Sequence, residues 1–281
     1  MDSGEIKITS NWSESEIRNF FGELLDNKFT EPVEFFVDKL PVDKKESVKR
    51  FVLLLEPPEI AAILCGSINS DVITFQDRFD YVLTHNQDVL DKLPGKAILF
   101  PYGTMWIKDY RFPEKEFSVS TLVGSKVMTY GHELRQKLWF KENRIKNIPT
   151  KFFLSGNASA LENYNNNLIL RENKDELFDS QFHVCIENAK RDNWFTEKLI
   201  DCLQTKTVPI YWGCPNIGNW FNTKGFIMVD NLEDIIDACN SLNDGSYKEK
   251  LEFIEENFEK SKNFININHR IKEEINHLLT L

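Results

Sequence analysis

Glu197 and Lys198 stand side by side where a helical pattern begins in NWFTEKLIDCLQTKTVPIYWG, residues 193–213. Thr196 or Asn193 can cap that helix, and Leu199, Cys202 and Leu203 fall on one face of it. The unpaired backbone N–H groups of a helix start carry partial positive charge, which suits a phosphate. Lys198 adds a full charge in the same turn. Glu197 can accept hydrogen bonds from sugar hydroxyls or serve as a catalytic carboxylate. Spacing alone fits a plainer reading at least as well. In it Glu197 favours the helix dipole and Lys198 is solvated, a pairing worth about 0.3–1 kcal/mol.

The flanking strands add to this. Upstream, FHVCIEN is an apolar run ending in Glu187 and Asn188; downstream, VPIYWG closes on Gly213. An F-x-x-x-x-E-N strand, an aromatic-x-T-E-K helix start and a V/I-P-I-Y-W-G strand, in that order, resemble the donor-binding core of family 10 glycosyltransferases. These are the α-1,3/1,4-fucosyltransferases, in particular the bacterial ones. The likeness spans roughly the last third of the chain. It implies a GT-B fold and transfer of fucose from GDP-fucose to a glycan hydroxyl with inversion. Lys198 would contact the donor pyrophosphate and Glu197 the ribose or sugar hydroxyls. Glu187, Asn188 and Thr196 would line the same edge. Trp194 stands where the family usually has Tyr, and an indole can stack but has no hydroxyl to offer.

The family also places an Arg early in this domain to hold the pyrophosphate. Here TLVG is followed by Ser125, Lys126 and then YGHELRQKL. By register His132 occupies the Arg position and Arg135 lies one turn on. Arg135 and Lys126 are therefore alternates for the cation, with His132 as a hydrogen-bond donor. For Arg135 an exposed helix face is the competing reading.

An inverting transferase needs a base for the acceptor hydroxyl. Glu56 ends the apolar run RFVLLLE and matches the family base by position, though not by its neighbours. Alternatively it is a solvated strand end stiffened by Pro57 and Pro58. Glu59, Asp77 and Asp80 are the other candidates. There is no D-x-D and no zinc-like spacing, so no metal or cofactor is expected beyond the donor substrate. Retaining GT-B enzymes commonly carry two Glu eight positions apart. Position 195, eight after Glu187, is Phe, which favours inversion. G-x-G-x-x-G, G-x-S-x-G and P-loop patterns are also missing. Two alternatives keep the motifs: a different nucleotide-sugar donor, or an inactive nucleotide- or carbohydrate-binding module.

Strand, loop and helix alternate around these residues. IKIT leads to an S-x-x-E capping box at Ser13 and Glu16, then to Ile17, Phe20, Phe21, Leu24 and Leu25 at helical spacing. Further β-type runs read VEFFV, RFVLLLE, DVITF, DYVLTH and KAILF. PYGTMWIKDYRFPEKE reads as a linker. A second series runs FSVSTLVG, the helical HELRQKLWF, TKFFL, NNLIL, FHVCIEN, VPIYWG and GFIMVD, and helical periodicity then continues to the end. The expectation is an α/β, GT-B-like chain with two Rossmann-like domains facing a cleft. An acceptor-side domain would span 1–113 and a donor domain 114–281, with the last helices able to pack back on the first. Ligands in such sheets bind beyond the carboxyl ends of the strands.

Composition narrows the classes. The 281 residues carry 44 acidic against 34 basic side chains, a net charge of −10. That argues against affinity for nucleic-acid phosphates. Five cysteines without C-x-x-C spacing read as reduced core residues. With no bilayer-length apolar run and no signal-peptide layout, a cytoplasmic protein of microbial or viral origin is expected.

Overall fold

The computed structural model describes residues 4–43, 47–156, 158, 168–170 and 174–281. The chain divides into two units. One holds residues up to Tyr102 together with Asp192–Trp194 and Asn266–Leu281; the other holds Gly103–Arg191 and Phe195–Ile265.

The first unit contains β1 (Ile6–Thr9), α1 (Glu14–Leu25), β2 (Val33–Val37), β3 (Lys49–Leu54), α2 (Pro58–Leu64), α3 (Ile68–Thr74), β4 (Tyr81–Thr84), α4 (Gln87–Lys92) and β5 (Ala97–Leu99). Its sheet is parallel throughout and runs in simple sequence order, β1-β2-β3-β4-β5. Strand alternation sends Phe35, Phe51 and Leu53 into one core with Phe21 and Leu24 of α1. Phe36, Val52 and Leu54 enter another, with Ala61, Val72 and Val89 from α2, α3 and α4. The predicted capping box forms: Glu16 N–H donates to Ser13 Oγ, and the Glu16 side chain accepts from Ser13. DVITF, read as a strand, is instead the end of α3. Ile68 and Val72 bury one helical face there, and an apolar run this short carries no decisive period.

The second unit contains β6 (Glu116–Val123), α5 (Tyr130–Phe140), β7 (Thr150–Ser155), β8 (Leu168–Leu170), β9 (Ser180–Ile186), α6 (Glu197–Gln204), β10 (Val208–Trp212), β11 (Ile227–Met228), α7 (Leu232–Ser241) and α8 (Leu251–Ser261). Of NNLIL, Leu168–Leu170 form β8 and the two asparagines lie outside the described residues. The sheet order is β11-β10-β9-β6-β7-β8. Renumbered within the unit this is 3-2-1-4-5-6 read from the other edge, the Rossmann order, with its reversal between β6 and β9. Leu134 and Leu138 of α5 and Ile235 and Ile236 of α7 pack on one face. Leu199, Ile200 and Leu203 of α6 pack on the other.

The boundary falls between Tyr102 and Gly103 rather than after residue 113, and hydrogen bonds show why. Asp201 Oδ1 accepts from the N–H groups of Trp106 and Ile107 at 2.8 and 3.4 Å, and Met105 N–H donates to Ile265 O. The supposed linker is thereby bound into the second unit. Of the C-terminal helices, α8 stays in that unit, while α9 (Ile267–Leu279) belongs to the first. There Asn268 donates to Phe20 O and Arg270 to Pro101 O, and Ile271 and Ile275 are fully buried. Among the described residues no helix is long and apolar enough to cross a membrane.

Candidate active site

The reversal between β6 and β9 brings two loops together at the carboxyl edge of the second sheet. One follows β6 with Gly124, Ser125 and Lys126; the other follows β9 with Glu187 and Asn188. The loop after β9 runs on to the start of α6. Glu187 is fully buried. Its Oε1 accepts the Thr196 backbone N–H and its Oε2 the Thr196 hydroxyl, both at 2.8 Å. Thr196 in turn accepts from Lys198 N–H as the N-cap of α6. Both Glu187 oxygens thus hold the start of α6, two residues before Lys198. Burial raises its pKa foremost, against the pull of the Lys198 charge.

Two glycines permit this packing. A Cβ on Gly131 would stand 2.0 Å from Glu187 O, and one on Gly213 would stand 2.7 Å from Glu187 Cγ. The first turn of α5 and the turn after β10 can approach Glu187 only because those side chains are missing.

Lys198 Nζ lies 3.0 Å from Glu197 Oε1 and 3.3 Å from Thr196 Oγ1. Burial works against its charge, but Glu197 and Glu187 outweigh burial and hold its pKa above the ordinary value. Glu197 is likewise opposed by burial, and Lys198 and Lys174 together keep its pKa below the usual range. Lys174 is a residue the sequence reading missed. It lies over the Trp106 ring at 4.1 Å, and its charge acts on Glu197 and Asp201. Burial pulls its own pKa down. No motif surrounds it in the sequence, so only the fold reveals it.

Arg135 is brought into the same cluster. Its Nε donates to Gly131 O and its Nη2 to Asn188 Oδ1. Burial lowers its pKa, while Glu187 and Glu197 support its charge. It is not on an exposed helix face. Lys126 and Ser125 are exposed in the loop after β6. The Lys126 carbonyl accepts from Gln136.

His132 has a role different from the one expected. Thr129 donates its hydroxyl proton to Asn188 O at 2.5 Å, so its oxygen is left to accept from His132 Nδ1 at 2.7 Å. The neutral ring therefore carries its proton on Nδ1 and presents Nε2 as an acceptor. Burial, with the charges of Arg135, Lys126 and Lys198, pushes its pKa down to about 4. Its Nε2 cannot act as the anticipated donor near neutral pH.

Trp194 is placed in the first unit. It is 1% exposed and its indole N–H donates to Leu55 O at 3.0 Å. A ring so enclosed has no face left for a donor sugar or base. Glu56, half-buried, follows β3 at the carboxyl edge of the first sheet. Glu59 lies in the first turn of α2. Asp77 and Asp80 precede β4 and stand at the opposite, amino edge, where Asp80 accepts the Arg50 N–H. That edge is the wrong end of a parallel sheet for a ligand. Among the described residues no group of three or more His, Cys, Asp or Glu could hold a metal ion.

Residues 126–253 match the model for glycosyltransferase family 10 (fucosyltransferase), C-terminal part. That match spans less than half of the chain. The α-(1,3)-fucosyltransferase FucT of Helicobacter pylori is 37% identical over 70 residues, covering 25% of this chain and 15% of that protein. The GDP-fucose protein O-fucosyltransferase 3 of Xenopus tropicalis is 37% identical over 67 residues, 20% of this chain and 14% of that protein. The matched stretches are thus about a seventh of those relatives' lengths. The family resemblance in fold reaches further. The crystal structure of an α1,3-fucosyltransferase with GDP-fucose superposes with a TM-score of 0.57 at 17% identity, covering 89% of this chain and 81% of that one. The expected α/β, GT-B-like class is the observed fold.

Proposed function

We propose that this protein is an inverting, metal-independent family 10 glycosyltransferase that moves L-fucose from GDP-fucose to a hydroxyl of a glycan acceptor. The observation that carries the reading is Lys198, held by Glu197 and Thr196 at the start of α6, beside the strand-order reversal of a Rossmann-ordered sheet. Both relatives named above are fucosyltransferases, and one bears GDP-fucose in its name. In the proposed step the acceptor oxygen attacks the anomeric carbon as the bond to the phosphate oxygen breaks. Glu56 takes the hydroxyl proton. GDP departs with its developing charge met by Lys198, Arg135 and the positive end of the α6 dipole. One displacement inverts the anomeric configuration. The five free cysteines suit a reducing, cytoplasmic setting.

A second reading keeps this chemistry and changes the donor sugar. It is favoured by the neutral His132 at the register of the family Arg. Incubation with a panel of nucleotide sugars, in strict chelator, separates the two by nucleoside diphosphate release. Turnover with GDP-fucose is expected; silence with it but turnover with another donor overturns the fucose assignment. Dependence on added metal overturns the metal-free mechanism. Binding of GDP without transfer to any acceptor or to water leaves an inert binding module. Thermal shift gives a rapid first reading, since a ligand at 100 times its Kd adds about 2.7 kcal/mol.

A further inference from the structure

β3 runs directly into Leu55-Glu56-Pro57-Pro58, and the chain there is gripped from two sides. Asp38 Oδ1 accepts the Leu55 N–H at 2.9 Å and the Glu56 N–H at 3.5 Å. From the other side the Leu55 carbonyl accepts the Trp194 indole N–H at 3.0 Å. Asp38 is itself tied down, because its own N–H donates to Leu53 O at 2.9 Å. It also holds φ at 47°, in the left-handed region that residues other than glycine, Asn and Asp rarely enter. Asp38 is 6% exposed. A carboxylate buried this deeply is costly to keep. A merely structural turn could place Asn or glycine here at lower cost.

We infer that Asp38, with Trp194, is a positioning residue for Glu56, setting the direction in which the Glu56 carboxylate leaves the end of β3. The inference rests on the proposed role of Glu56 as base. Glu56 also acts on Asp38 through charge. Burial foremost, and the Glu56 charge in addition, push the Asp38 carboxyl up to about 7, while the Leu55 and Glu56 N–H groups oppose that rise. The other titratable neighbour is Cys65, at the end of α2, whose thiol is raised by burial and by both carboxylates. Asn11, after β1, contacts Cys65 and carries no charge.

The test uses the full chain and GDP release from GDP-fucose, with water or the best acceptor of the donor panel as nucleophile. Asp38→Ala removes the clamp and should lower kcat about 10–100-fold, as expected for a displaced reacting group. GDP affinity measured by calorimetry should stay within about twofold of wild type, because the donor residues are untouched. Asp38→Asn keeps an acceptor oxygen and tolerates the left-handed backbone. It should recover most of kcat, because it restores an acceptor for the Leu55 and Glu56 N–H groups. Trp194→Phe, which keeps the ring and loses the N–H, should lower kcat by less than Asp38→Ala. Wild-type kcat in Asp38→Ala, or a kcat in Asp38→Asn as low as in Asp38→Ala, overturns the inference. If Asp38→Ala does not fold, Trp194→Phe decides alone, and an unchanged kcat in it overturns the inference. Glu56→Gln separates the two levels. Turnover in that variant removes the base assignment itself; an inactive Glu56→Gln beside a fully active Asp38→Ala removes only the positioning role.

Discussion

At the carboxyl edge of the second sheet, Arg135, Lys174 and Lys198 gather around Glu187 and Glu197. At the same edge of the first sheet two carboxylates come from neighbouring loops, Asp38 after β2 and Glu56 after β3, and Asp38 accepts the Glu56 N–H. The second sheet reverses its strand order between β6 and β9, and the cations collect at that point. The first runs without reversal. One edge gathers positive side chains and the other a pair of carboxyl groups. The difference shows that similar parallel α/β frames are specialised by the loops after their strands, not by their cores.

This contrast can be broken in several ways, and the largest effect should come from the acidic edge. Glu56→Gln should lower kcat about 10²–10⁴-fold with GDP affinity unchanged, as measured by GDP release and calorimetry. Lost GDP binding in that variant would erase the division of labour. Lys198→Ala should cost about 10²–10³-fold in kcat and, unlike Glu56→Gln, weaken GDP binding as well.

A smaller effect sharpens the comparison. Thr196→Val keeps the side-chain shape but removes the hydroxyl that caps α6 and donates to Glu187. It should cost about 1–2 kcal/mol in denaturant unfolding and loosen GDP binding. Equal GDP affinity in that variant would show that Glu187 does not position the helix start for a ligand.

The smallest effect is pH-dependent. Burial lifts Asp201 from 3.8 to about 7. Between those values the folded chain holds a proton that the unfolded chain has released, so this contribution is present below about 4 and is lost as pH rises through 7. Asp201→Asn keeps an oxygen for the Trp106 N–H and does not titrate. The Tm of wild type relative to Asp201→Asn should therefore fall as pH rises from 4 to 7. A constant difference across that range would show that Asp201 does not hold its proton in the folded state.

What could be read in advance was local. The capping box of Ser13 and Glu16, the Thr196 cap, the strand ends at Glu187 and Glu56, and the grouping of Glu197 with Lys198 all involve near neighbours or simple periodicity. What could not be read depends on distant partners. Trp194 looked like a donor contact because it precedes T-E-K, yet its N–H meets a carbonyl 139 positions away. Asp38 went unnoticed because the peptide it holds lies 17 residues downstream. The hydrogen bonding of His132 follows from Thr129 and from a carbonyl on another loop. DVITF was misread because a five-residue apolar run fits strand and helix alike.

By itself, then, the sequence determined the α/β class, the motif that resembles family 10 and the helix start that presents Lys198, because each arises from interactions within a few residues. Tertiary structure alone decided which acids hold backbone. It also set the tautomer of His132 and the unit that claims Trp194. Those outcomes depend on burial and on hydrogen-bond partners that meet only when the chain is folded.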